Sequence, residues 1–95
     1  MTVRYTRRAQ RDLTKILAGI DQENAAGARK VKLALERAIR TIERFPRCGF
    51  STGRAGALGL AVAPYPYVIY WGIEGEDAHI LHVRHAARRP WSDKG

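Results

Sequence analysis

Apolar residues keep one period before residue 46 and another after residue 58, and few folds satisfy both. Ala9, Leu13, Ile16, Leu17 and Ile20 recur at steps of 4, 3, 1 and 3, one stripe of an amphipathic helix. Ala28, Val31, Leu35, Ala38, Ile39, Ile42 and Phe45 step by 3, 4, 3, 1, 3 and 3 until Pro46 stops the pattern. Beyond the break, Tyr65, Tyr67, Ile69, Trp71 and Ile73 alternate, so they line one face of a strand. The chain therefore needs a helical layer that covers one face of a sheet.

Smaller signals place the ends of the elements. Residues 2–5 form a short strand with Val3 and Tyr5 on one face. Thr6 suits a helix N-cap, because its hydroxyl can accept an unpaired amide of the first turn. Asn24 is the N-cap of the second helix, and Asp21, Gln22 and Glu23 make the link before it. So short a link folds the two helices into an antiparallel hairpin. Residues 46–59 form a loop with glycines at 53, 56 and 59, and no Lys-Ser/Thr pair follows to make it a phosphate-binding loop. Strands follow at 58–62, 67–73 and 78–85, with a turn at Glu74, Gly75, Glu76 and Asp77. The expectation is one α+β domain over residues 1–95, in the order β-α-α-β-β-β. An antiparallel sheet carries the N-terminal helical hairpin on one face.

Charge divides the chain differently. Residues 4–54 hold 13 Lys/Arg against 5 Asp/Glu, whereas residues 55–95 hold 4 of each. The net charge of +8 thus belongs to the first half, and it suits an anionic partner, nucleic acid or an acidic protein segment. Taken one by one, these charges also suit a solvated helix surface. From Ala55 to Val83 there is no Lys or Arg; then Arg84, His85, Arg88 and Arg89 arrive together, with Trp91 beside them. Arg and Trp are enriched where interfaces are strongest, so these five residues are the expected target-binding surface. Arg47 and Arg54 are expected to contact phosphate or an acidic partner from the loop.

Other side chains read as structural. The single cysteine, Cys48, builds no disulfide framework and fits a reducing cytoplasm. No apolar run approaches the roughly 18 residues of a membrane span, and no leader segment is expected at the start. Plain strand alternation puts His79 and His85 on one face and His82 on the other, which argues against a metal site. Tyr65, Tyr67, Tyr70 and Trp71 lack interleaved cations, so they read as packing and not as a base-stacking platform.

Four pieces, in order, carry a resemblance. They are Tyr5-Thr6-x-x-Ala9-x-x-Asp12-Leu13-x-x-Ile16; Phe45-Pro46-Arg47-Cys48-Gly49; Tyr65-Pro66-Tyr67-Val68-Ile69-Tyr70; and Ile80-Leu81-x-Val83-x-His85-x-x-Arg88-x-Pro90. Over residues 3 to about 90 the chain resembles the RelE/ParE superfamily of bacterial toxins from type II toxin–antitoxin modules. The resemblance implies a βααβββ toxin neutralised by a cognate ParD-like antitoxin; no cofactor or metal is expected. RelE-like members cut mRNA on the ribosome with Lys and Arg on the sheet, and the central strands here carry none. ParE-like members bind DNA gyrase instead, and the long helical hairpin and the tail look more like theirs. Gyrase binding is the implied activity. The alternative is a ribosome-dependent mRNA endonuclease using His85, Arg84 and Arg88. The chain departs from the pattern at Ala57-Leu58-Gly59, where many relatives carry a charged residue.

Overall fold

The computed structural model describes residues 2–86, apart from the side chains of Asp21 and Glu23. The elements run β1 (Thr2–Tyr5), α1 (Arg7–Glu23), α2 (Ala25–Arg44), β2 (Phe50–Ser51), β3 (Leu58–Ala61), β4 (Tyr67–Glu74) and β5 (Asp77–His85). They build one five-stranded sheet in the order β1-β5-β4-β3-β2. The α+β class, the helical hairpin and the strand meander agree with the sequence reading. No helix among the described residues is long and apolar enough to cross a membrane.

Both helix starts are capped as expected. The Thr6 hydroxyl accepts from Ala9 N at 3.1 Å, and Asn24 Oδ1 accepts from Gly27 N at 3.1 Å. The link differs from expectation. Asp21 and Gln22 are helical, α1 runs to Glu23, and Asn24 alone separates the helices. One residue that closes α1 and caps α2 removes the need for a longer turn.

The sheet differs in two ways. It is mixed, because β1 pairs with β5 in parallel, Thr2 opposite Asp77 and Tyr5 opposite Ile80. Within the expected loop, Phe50 and Ser51 pair antiparallel with Gly59 and Leu58 as an added edge strand. Two residues are too few to show a period, so composition alone reads them as loop. Gly49 and Gly59 allow this edge to form. A side chain at Gly49 would strike the Gly59 carbonyl and the Trp71 ring, and one at Gly59 would strike the Phe50 ring.

The core lies between helices and sheet. Val31, Ala34, Leu35 and Ile42 of α2 and Ala9 of α1 meet Ile69, Trp71, Ile80 and Val83. Trp71, Ile42, Ile69 and Ile80 are fully buried. Burying one such side chain stabilises by about 1.5–3 kcal/mol. Tyr65, Tyr67 and Ile73 pack against this core, as the stripe requires. Trp71 Nε1 donates to Pro46 O at 2.9 Å, which ties the end of α2 to the sheet.

Candidate functional site

An extra residue in β5 decides which side chains meet. Trp71 stands opposite Ile80 and Tyr70 opposite His82, so Leu81 has no partner of its own across the strands. In an unbroken strand Ile80 and His82 would share a face. The bulge sends Ile80 and Val83 into the core and turns His82, opposite Tyr70, to the other face of the sheet, at the edge where α1 reaches it. The expected histidine faces are therefore corrected. His79 and His82 share the open face, opposite Gly72 and Tyr70, and His85 lies on the helix face opposite Tyr67. Among the described residues, no three His, Cys, Asp or Glu side chains gather as a metal site requires.

α1 is bolted to β5 at this bulge. Thr6 donates its hydroxyl to Ile80 O at 2.9 Å, and its amide donates to the same oxygen at 3.1 Å. β1 ends at Tyr5, so the β5 backbone beyond Ile80 meets no strand on that side. Asp12 takes the place of one. Its Oδ2 accepts from Val83 N at 3.1 Å and from His82 Nδ1 at 2.5 Å. The other ring nitrogen, Nε2, lies 3.4 Å from Arg8 Nη2. A carboxylate only accepts and a guanidinium only donates, so Nδ1 carries the proton and Nε2 the lone pair. His82 is buried, 6% exposed, and this donor–acceptor set suits the neutral ring. Burial pushes its pKa down, Arg8 and Arg84 add to that, and the bond to Asp12 opposes it.

The open face continues from His82 across the sheet. Tyr70 stacks beside the imidazole at 6.2 Å between ring centres, and Phe50 meets Tyr70 edge-on at 6.4 Å. Tyr70 is buried and Phe50 is 51% exposed. Between α1 and the end of β5 runs a groove of about 550 Å³. Ile16, Ile20, Val83 and Tyr67 give it apolar walls, and Arg8, Lys15 and Arg84 give it positive charge. Such a groove can hold an apolar side chain of a partner while its rim meets carboxylates.

The expected site residues divide accordingly. Arg84 and His85 both line the groove, and His85 packs edge-on against Tyr67 at 5.5 Å. Arg47 is exposed in the turn after α2, and Arg54 is half-buried in the β2–β3 loop. Both lie in the segments that flank β2, the strand three places from β5 in the sheet order. The fold does not bring them beside His85. Arg88, Arg89 and Trp91 lie outside the described residues. Sequence reasoning missed Asp12, His82 and Arg8 as a set. One signal was present: Asp12 stands three residues after Ala9 and four before Ile16, an acid on the flank of an apolar stripe.

Comparisons with known proteins agree with this architecture. The model of the family described as "ParE toxin of type II toxin-antitoxin system, parDE" matches residues 3–90. Toxin RelE2 of Caulobacter vibrioides is 36% identical over 84 residues, which span 88% of this chain and 93% of that protein. The solved structure of a chromosomal ParDE toxin–antitoxin system from P. aeruginosa shares the fold. It has a TM-score of 0.75 and 20% identity over 90% of this chain and 95% of the other. The chain belongs to the ParE family of toxins from type II toxin–antitoxin systems.

Proposed function

We propose that this toxin inhibits growth by binding DNA gyrase, without catalysis, and that a cognate ParD-like antitoxin neutralises it. The observation that carries the reading is how the histidines are placed. His82 has its proton held by Asp12 and its lone pair turned to Arg8. General acid–base work requires a proton or lone pair that can reach a substrate. His85 is packed on Tyr67, with Arg47 and Arg54 across the sheet. An mRNA endonuclease needs cations and an acid–base group converging on one phosphate. Arg8, Lys15 and Arg84 share the groove with His85, so the reading rests on the histidines: both ring nitrogens of His82 are engaged and the His85 ring packs on Tyr67.

The antitoxin is expected to lay an acidic, amphipathic segment along the groove between α1 and β5. Its apolar side chains would sit against Ile16 and Ile20, and its carboxylates near Arg8, Lys15 and Arg84. The target surface is assigned to Arg84 and His85, together with the following Arg88, Arg89 and Trp91.

Expression without antitoxin tests the reading. Double-strand DNA breaks with intact transcripts are expected, and cleavage of mRNA in the ribosomal A site would overturn it. His85→Ala sharpens the test. A catalytic acid or base contributes about 10²- to 10⁴-fold, so its loss would nearly abolish a nuclease. In the binding reading, His85→Ala lowers toxicity by less than about tenfold, the effect of roughly 1.4 kcal/mol.

A further inference from the structure

We propose that the outer face of α2 binds the phosphate backbone of duplex DNA. Six cations stand on this one helix, Arg29, Lys30, Lys32, Arg37, Arg40 and Arg44, and all six are exposed. Among the described residues none of them forms an ion pair. Arg44 lies 5.7 Å over the ring of Phe45, which is itself exposed. Helical geometry sets Arg29, Arg37, Arg40 and Arg44 along one ridge opposite the buried stripe of Val31, Leu35 and Ile42. The ridge is about 22 Å long at 1.5 Å per residue.

Glu36 and Glu43 flank this ridge, Glu36 one turn before Arg40, and among the described residues neither forms an ion pair with it. Leu33 stands on the ridge, one turn from both Arg29 and Arg37. Four arginines against two flanking acids leave the face net positive. A duplex lying along 22 Å presents about 13 phosphate charges, a line of negative charge that matches a line of arginines. The core of a protein interface is depleted in charge and rich in large apolar groups. Here Leu33, 49% exposed, is the one large exposed apolar side chain of α2. The face thus fits a polyanion better than a protein. Phosphate contact needs no base-reading motif, so binding is independent of sequence.

The gyrase reading is not needed for this surface to work. In that reading, the ridge would hold the DNA on which gyrase is engaged. The test uses the full chain alone with a labelled 30-base-pair duplex, and reads anisotropy between 50 and 200 mM salt. Four phosphate contacts give a log–log slope of about −3.6, a loss of affinity of roughly a hundredfold over that range. Arg29→Gln with Arg40→Gln should make the slope shallower by about 1.8, and the matching lysine pair should restore it. Arg7→Gln with Arg11→Gln on α1 removes the same charge elsewhere and should change the slope less. Circular dichroism checks that each variant keeps its helices. No binding at 50 mM salt, equal effects of the two glutamine pairs, or tighter binding to single-stranded RNA would overturn the proposal. Failure here alongside intact gyrase inhibition removes the DNA surface and leaves the gyrase reading standing.

Discussion

Asp12 is the residue on which the joint between α1 and β5 depends. Its carboxylate holds a backbone amide and an imidazole N–H that otherwise face a helix and not a strand. Asp12→Ala leaves both donors short of an acceptor. Leaving a buried donor unpaired costs about 1–3 kcal/mol, so the urea midpoint should fall accordingly. A change within 0.5 kcal/mol would mean that water replaces the carboxylate. His82 adds a pH dependence of known sign. Its folded pKa lies below the ordinary value of about 6.5, so the unfolded chain takes up the proton first as pH falls. The histidine's contribution is complete above about pH 6.5 and is lost as pH drops from there toward the folded pKa. His82→Gln keeps a donor for Asp12 and removes the titration. Wild type should therefore lose more stability than His82→Gln between pH 7.5 and 5.5. Parallel losses would contradict the neutral, buried imidazole.

At the scale of elements, the bulge at Leu81 and the edge strand β2 set the shape of the open face. Gly49 is the contact on which β2 closes, between the Gly59 backbone and the Trp71 ring. Backbone cannot yield as a side-chain tip can, so Gly49→Ala should cost about 1–3 kcal/mol by overpacking. It should also free Phe50 from Tyr70. Chemical denaturation and the aromatic signals of Phe50 would show both effects, and an unchanged midpoint would place the edge strand elsewhere. These elements also mark what the sequence could disclose. Helices and long strands were legible because their apolar periods persist over many residues. β2 was not, because two residues have no period. The bulge was not, because Ile80, Leu81, His82 and Val83 read equally well with or without an extra residue. The histidine faces followed the bulge and so were misplaced. Arg84 and His85 were singled out by the jump in charge and share a groove, whereas the Asp12–His82 pair joins residues 70 apart, which no local pattern reveals.

For the whole molecule, the helical layer is cationic on its outer side, the groove is apolar with a cationic rim, and the sheet's open face is aromatic. In the proposed reading such a protein works by contact: His82 serves the fold, and the charges lie on surfaces that partners can cover. Catalysis and contact differ most plainly in stoichiometry. Purified full chain should be titrated into purified DNA gyrase acting on relaxed plasmid, with antitoxin added afterwards. The expected result is loss of supercoiling that saturates at a fixed ratio of toxin to gyrase and is reversed by the antitoxin. Undiminished supercoiling at excess toxin, with substoichiometric cleavage of ribosome-bound mRNA by the same preparation, would contradict the account.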